Sequence, residues 1–125
     1  MARRVLVVDD SMLMRRLVRE ALVSDGWEVA GEAADGAEAV VQYKLLRPDA
    51  VTLDLTMPNC TGLEAFRQIL HLDPSARIVV LSALNQDRLT AEMLCAGARG
   101  FVVKPFQPDR LQEVLRASLE EPVET

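Results

Sequence analysis

Four short, largely apolar runs in this chain each end in polar residues. The runs and their polar ends are residues 5–8 with Asp9 and Asp10, residues 51–53 with Asp54, residues 78–81 with Ser82, and residues 101–103 with Lys104. Short apolar runs rich in Val and Ile are typical of strands buried on both faces of a parallel sheet. Because the carboxyl ends of parallel strands meet at one edge, we expect these five polar side chains to gather there.

The segments between these runs have the spacing of helices. Asp10 or Ser11 can cap the first helix, whose apolar residues recur four positions apart, and Asp25-Gly26 ends it. We predict further strands over residues 27–33, 50–54, 76–82 and 100–103, and further helices over residues 37–46, 63–70, 84–96 and 108–119. Residues 59–62 are predicted to form a loop, and Glu120-Glu121-Pro122 is predicted to end the last helix.

The alternation of strands and helices predicts an α/β fold with five parallel strands and five helices in a doubly wound arrangement. Right-handed crossovers restrict the possible strand orders, and the flavodoxin-like order 2-1-3-4-5 fits best. In this order the ligand crevice lies outside the carboxyl ends of strands one and three. Those ends carry Asp9, Asp10 and Asp54.

Length, charge and cysteine content exclude several classes of protein. A chain of 125 residues has the length of one domain, so we expect residues 1–125 to form a single, monomeric domain. The net charge of −5 argues against nucleic-acid binding, which needs clustered Lys and Arg. Cys60 and Cys95 are expected to be free thiols. Since no apolar run is long enough for a signal peptide or a membrane span, we expect a cytoplasmic protein without membrane contact.

The residues expected at the sheet edge match the needs of phosphoryl chemistry. Clustered carboxylates repel one another, and bound Mg²⁺ removes that conflict because it prefers oxygen ligands. Lys104 can neutralise phosphoryl charge from the other side, and Ser82 can donate its hydroxyl to a phosphoryl oxygen. Asp54 can then act as the nucleophile and become an aspartyl-phosphate.

Each of these residues also has an ordinary structural explanation. Asp9-Asp10 alone is most often a helix cap, Ser82 alone a solvated hydroxyl, and Lys104 an exposed turn lysine. Compatible chemistry at four strand ends is rare among random turn residues. This coincidence favours a functional site.

The combination of motifs resembles bacterial two-component response-regulator receiver domains over nearly the whole chain. The matching features are Asp9-Asp10, Asp54 followed by Met57-Pro58, Ser82-Ala83, and Lys104-Pro105-Phe106. The resemblance implies that Asp54 is the phosphoacceptor and takes phosphate from a phosphohistidine on a sensor histidine kinase. Because no Gly- or Ser-rich linker follows the last helix, we expect no output domain, and the phosphorylated form would then signal by changed partner binding.

The resemblance further assigns roles within the site. Asp10 would bind Mg²⁺ directly, Asp9 through water, and Asp54 and the main-chain carbonyl of Thr56 would complete the metal ligands. Lys104 and Ser82 would stabilise the phosphoryl group, and the Lys104-Pro105 peptide would be cis.

The resemblance to receiver domains also implies a conformational switch. On phosphorylation Ser82 would move toward the phosphoryl group, and the ring of Phe101 would turn into the space it leaves. The readout face would comprise the fourth helix, fifth strand and fifth helix. Many relatives carry Thr and Tyr at these two positions. Since Phe101 has no hydroxyl, its inward form must depend on packing, and we expect weaker polar coupling.

The residues that flank the site suggest a long-lived phosphoryl group. By family geometry these are Thr56 and Leu84, and neither offers a carboxylate or amide to orient the attacking water. We therefore expect a phosphoacceptor with slow self-dephosphorylation rather than an enzyme, and an external phosphatase that supplies the missing group.

Three functions remain to be distinguished. A chemotaxis-type regulator acting on a flagellar motor switch protein is the most similar, including residues 104–108. A phosphorelay shuttle that passes phosphate to a histidine phosphotransfer protein would use the same site. An Mg²⁺-dependent aspartate-nucleophile phosphatase would need a second Asp where Thr56 stands. Flavin binding is disfavoured because the acidic first loop would repel a phosphate.

Overall fold

The computed structural model of the chain describes residues 2–120, and within them strands and helices alternate. The strands are β1 (Arg4–Val8), β2 (Glu28–Ala33), β3 (Ala50–Asp54), β4 (Ile78–Ser82) and β5 (Gly100–Val103). The helices are α1 (Met12–Ser24), α2 (Gly36–Leu46), α3 (Thr61–Leu72), α4 (Asp87–Ala96) and α5 (Pro108–Ser118), with a short 3₁₀ turn at Pro58–Cys60.

The five strands form one parallel sheet in the order β2-β1-β3-β4-β5, which confirms the predicted topology. In this register Val8 lies opposite Leu53, Asp54 opposite Leu81, and Ser82 opposite Val103. The strands therefore end nearly level with one another, and the residues that follow them share one edge of the sheet.

Each face of the sheet is covered by helices and has its own hydrophobic core. One core is formed by sheet residues such as Leu6 and Val80 together with buried residues of α2, α3 and α4, including Phe66. The other is formed by residues such as Val7 and Leu81 with buried residues of α1 and α5. The central strands are buried on both sides, which explains why their sequences are almost continuously apolar.

Several predicted boundaries were wrong by a few residues. The fourth helix begins at Asp87 rather than residue 84, because Asn85 has a φ of 76° and cannot continue a right-handed helix. The third helix begins at Thr61, within the predicted loop. The second strand begins at Glu28 and the fourth at Ile78, one and two residues later than predicted. The last helix ends at Ser118, and the predicted stop at Glu121-Pro122 lies outside the described residues.

Other predicted boundaries agree with the structure. Ser11 is the residue that caps α1, since its hydroxyl oxygen accepts a hydrogen bond from the backbone N–H of Met14 at 3.2 Å. Gly26 follows the end of this helix with a φ of 91°. The longest helix has 13 residues, whereas crossing a bilayer takes about 20 apolar residues. Within residues 2–120, accordingly, no helix has the length and apolarity of a membrane span.

Gly62 allows α3 to start directly against the end of β3. A Cβ atom at this position would collide with the backbone carbonyl oxygen of Asp54. A side chain here would push the helix away from the strand end. The glycine thus helps to place Asp54 in a closely packed corner of the molecule.

Candidate functional site

Asp54, the last residue of β3, has two carboxylate oxygens in very different surroundings. Its Oδ1 atom accepts hydrogen bonds from the backbone N–H of Thr56 at 2.8 Å and from the Thr56 hydroxyl at 2.6 Å. The ammonium group of Lys104 lies 3.1 Å from the same atom. The Oδ2 atom is buried and has no hydrogen-bond partner. Since an unpartnered buried polar atom costs about 1–3 kcal/mol, Oδ2 is the oxygen that a ligand would satisfy.

Lys104 joins the carboxylates of two neighbouring strand ends. Its ammonium group lies 2.8 Å from Asp9 Oδ2 as well as 3.1 Å from Asp54 Oδ1. The backbone N–H of Lys104 donates to the carbonyl oxygen of Ser82 at 2.8 Å, so the end of β4 helps to aim this side chain. Only 16% of the side chain is exposed, and the ion pairs are therefore shielded from water and salt.

Asp9 is held at every polar group. Its backbone N–H donates to Ala33 O at 3.0 Å, and its carbonyl oxygen accepts from Arg15 Nη1 at 2.7 Å. Its Oδ1 atom accepts from the backbone N–H of Ser11 at 2.9 Å, and its Oδ2 atom accepts from Lys104. Asp9 therefore has a fixed position.

Burial raises the pKa of Asp9 above its usual value of 3.8, even though the hydrogen bonds from Lys104 and Ser11 oppose this change. The negative charge of Asp54 raises the pKa further. Ionisation of the Asp9 carboxyl group therefore carries an electrostatic cost, which a nearby cation would reduce.

The three acidic residues predicted at the sheet edge are brought together. Oxygen atoms from Asp9, Asp10 and Asp54 all lie within 4.8 Å of one another. Asp9 and Asp54 are buried and Asp10 is exposed, so the cluster is open to solvent on one side. Hard divalent cations prefer carboxylate oxygens. This donor set and the unpartnered Oδ2 of Asp54 fit a divalent cation.

The other predicted site residues lie along the same edge or close to it. Ser82, the last residue of β4, is buried next to Leu81, the residue opposite Asp54. Phe101 lies in β5 opposite Val80 and packs, partly buried, against the core shared with α2, α3 and α4. Thr56 follows β3 and is exposed. The Lys104–Pro105 peptide is cis.

Two contacts at the site were not predicted. The first is the pair of hydrogen bonds from Thr56 to Asp54, for which the Asp-x-Thr spacing was an available signal, since Asp commonly accepts a bond from the residue two positions on. The second is the contact of Arg15 with the carbonyl of Asp9. Sequence spacing carried no signal for it, because it depends on the direction of a long side chain.

This sheet, with a lysine and three carboxylates at one edge, defines a doubly wound α/β domain with an acidic site, and comparison with known proteins identifies its family. The chain belongs to the response regulator receiver domain family, whose model matches residues 5–116. The resemblance of the motifs to receiver domains is thereby confirmed.

Individual relatives are similar over almost their full length. The chain is 49% identical over 115 residues to the chemotaxis protein CheY of Thermotoga maritima, which covers 92% of this chain and 96% of the relative. It is 44% identical over 119 residues to CheY of Bacillus subtilis, with 95% and 99% covered.

A solved structure supports the same assignment. The fold matches a chain in the crystal structure of the CheX-CheY-BeF3-Mg²⁺ complex from Borrelia burgdorferi with a TM-score of 0.89 at 34% identity, covering 95% of this chain and 90% of that chain.

Proposed function

We propose that this protein is a phosphorylation-activated response regulator that accepts a phosphoryl group on Asp54 in the presence of Mg²⁺. The observation that carries the proposal is the environment of Asp54. Its Oδ2 atom is buried without a partner, while Lys104 and Thr56 hold Oδ1. Asp9 and Asp10 supply further carboxylate oxygens within 4.8 Å. One oxygen is thus anchored and the other is available to react.

The protein's own residues prepare the acceptor. Thr56 and Lys104 orient the Asp54 carboxylate through Oδ1, so that little reorganisation is needed when Oδ2 forms a bond to phosphorus. In that step the phosphoryl group leaves the histidine nitrogen of the donor, and the P–N bond is replaced by a P–O bond to Asp54. Asp9, Asp10 and Asp54 would hold Mg²⁺, which would supply positive charge to the transferring phosphoryl group. Lys104, 3.1 Å from Asp54 Oδ1, would supply a second positive charge.

The remaining assignments are those that membership of the receiver domain family implies. Asp10, which is exposed, is proposed as a direct Mg²⁺ ligand, and Asp9, fixed through Lys104, as a ligand through water. Asp54 and the main-chain carbonyl of Thr56 are proposed to complete the protein ligands. Ser82 is proposed to donate its hydroxyl to a phosphoryl oxygen.

We infer that the signal leaves the site through Ser82 and Phe101. Movement of Ser82 toward the phosphoryl group would open space for the ring of Phe101, which is partly buried at the α4–β5–α5 surface. The measurement is the affinity of an output partner for the phosphorylated form of wild type and of Phe101→Ala. Equal affinities would show that this ring has no role.

Chemotaxis is the process we propose, because the chain is 44% to 49% identical to two chemotaxis proteins over most of their lengths. In the cytoplasm, where we propose that this protein acts, a sensor histidine kinase would supply phosphate, and a flagellar motor switch protein would bind the phosphorylated form. Phosphate transfer to a histidine phosphotransfer protein is the alternative, since it uses the same site. A pull-down of a motor switch protein with and without beryllofluoride distinguishes them, because a shuttle would bind that protein in neither condition.

The phosphoryl group on Asp54 is proposed to be long-lived. Leu84 is exposed and apolar, and the Thr56 hydroxyl donates to Asp54, so neither offers a base to the attacking water. An external phosphatase would then supply that group. Loss of the phosphoryl group within seconds in the isolated protein would contradict this proposal.

The acceptor itself is tested by mass spectrometry after treatment with acetyl phosphate and Mg²⁺. Wild type is expected to gain one phosphoryl group, and Asp54→Asn is expected to gain none. Asp25→Asn is a matched control, because Asp25 lies at the far end of α1 and pairs with Arg116. Equal modification of wild type and Asp54→Asn would rule out Asp54 as the acceptor.

A further inference from the structure

Arg15 in α1 connects the acidic cluster to the neighbouring strand β2. Its Nη1 atom donates to the main-chain carbonyl of Asp9 at 2.7 Å, and its Nε atom donates to Glu32 Oε1 in β2 at 3.2 Å. Only 16% of the Arg15 side chain is exposed. The guanidinium group is thus a rigid connector between a strand and the loop that carries two proposed metal ligands.

The contact between Arg15 and the Asp9 carbonyl also affects the position of Asp10. The peptide group is planar, so the direction of this carbonyl also sets the N–H of Asp10 and the position of the Asp10 Cα atom, from which its side chain extends. Asp10 is exposed, and the described neighbours that fix the Asp9 carboxylate, Ser11 and Lys104, do not fix this peptide plane. Arg15 is the side chain that reaches it.

Arg19 offers an internal comparison. Its Nη1 atom lies 2.7 Å from Glu32 Oε2, so it pairs with the same carboxylate as Arg15. It is 54% exposed, and its hydrogen bond goes to Glu32 rather than to Asp9. Any effect of losing an arginine from this face of α1, or of leaving Glu32 with one partner, is therefore shared by both residues. An effect on the site through the Asp9 carbonyl is specific to Arg15.

We propose that Arg15 is a positioning residue for the divalent-cation site, acting through the Asp9–Asp10 peptide; this rests on the proposed function. Charge alone would give the opposite effect, because a guanidinium group near the cluster repels a cation. If Arg15 acted only through its charge, its removal would tighten Mg²⁺ binding. If it positions Asp10, its removal loosens binding, and loss of such an outer contact typically costs about 10-fold in metal affinity.

The test is Mg²⁺ titration of wild type, Arg15→Met, Arg15→Lys and Arg19→Met by calorimetry, with the backbone amide shifts of Asp10 and Ser11 followed by NMR. Arg15→Met is expected to bind Mg²⁺ about 10-fold more weakly than Arg19→Met, and its Asp10 amide is expected to shift even without metal. Arg15→Lys should recover part of the affinity, because a lysine can reach one acceptor but lacks the planar fork that holds both.

Equal or tighter binding by Arg15→Met than by Arg19→Met would overturn the inference. Should Arg15→Met fail to fold, Arg15→Lys against Arg19→Lys carries the comparison, and equal affinities of that pair would likewise overturn it. A wild-type chain that binds no Mg²⁺ would instead contradict the proposed function, so the two failures are distinguishable.

Discussion

The two sides of Asp54 are built differently. On the β1–α1 side, Asp9 forms four hydrogen bonds with residues of four different segments, and Ser11 caps α1. On the β4–α4 side, the residue before α4 is Gln86, whose side chain makes no cap bond to the helix. It accepts instead from the backbone N–H of Ala83 at 2.7 Å.

The helices on the two sides of Asp54 also differ in how many residues they bury. The buried residues of α4 are Thr90 and Met93, and the Thr90 hydroxyl oxygen is buried without a partner. By contrast, α1 buries three residues, and α3 and α5 each bury four. Leu84, in the loop before α4, is 70% exposed. One side of the site is thus preorganised by hydrogen bonds, and the other is less firmly anchored.

The largest loss of stability is expected when the Lys104 ammonium group is removed from the preorganised side. Lys104→Met leaves the buried Asp9 and Asp54 carboxylates without their counter-charge. Removing one partner of a buried ion pair costs about 3–5 kcal/mol, and we expect the lower end because burial raises the pKa of Asp9 and so favours the neutral form of that carboxyl group. Urea unfolding without metal measures the loss. Mg²⁺ should restore part of it, since a bound cation replaces the missing charge.

Lys44→Met is the control for this experiment, because Lys44 is an exposed residue of α2. Its unfolding free energy should stay close to that of wild type with and without Mg²⁺. If Lys104→Met were as stable as this control, the ion pairs at the sheet edge would not stabilise the fold.

A smaller effect is expected on the less firmly anchored side. Thr90→Val removes the unpartnered hydroxyl with little change in shape, and relieving such a group is worth about 1–3 kcal/mol. The unfolding free energy should therefore rise. Ser118→Ala is the matched opposite, since the buried Ser118 hydroxyl donates to Leu115 O at 2.6 Å. Ser118→Ala should lower the free energy of unfolding by about 1 kcal/mol. Loss of stability in Thr90→Val would show that α4 is better anchored than this comparison says.

The smallest effect is a pH dependence at Asp9. Because burial raises the pKa of Asp9 in the folded state, the folded protein binds this proton more readily than the unfolded chain. Below its usual pKa of 3.8 both states are protonated and the cost is absent. As pH rises through the folded pKa, the carboxylate becomes charged and stability is lost.

Asp9→Asn should therefore be more stable than wild type at neutral pH without metal, and the difference should shrink as pH falls toward 3.8. Unfolding of both proteins across this range measures it. A difference that stayed constant with pH would mean that the ionisation of Asp9 is not its source.

Strong local patterns predicted most of the fold. The strand order was correct because β1, β3 and β4 are continuously apolar and the helices between them leave few alternatives. The start of α4 was wrong because residues 84–86 have helical composition, whereas Asn85 adopts a left-handed conformation. Most residues of the candidate site could be named because they end a strand or follow one within two residues, whereas Phe101 lies inside β5. Their roles in phosphoryl transfer stay predictions.

The sequence by itself determined that four strand ends would bring carboxylates, a hydroxyl and an ammonium group to one edge. The reason is that strands buried in a parallel sheet are short apolar runs, which can be recognised from local sequence. The tertiary structure alone decided which oxygen of Asp54 is anchored and which is unpartnered, and which arginine of α1 reaches the Asp9 carbonyl. These choices depend on contacts near 3 Å between residues that can be far apart in the chain, such as Lys104 and Asp9 at 2.8 Å. Hydrogen bonds weaken steeply with small changes in distance and angle, so side-chain packing rather than residue type settles them.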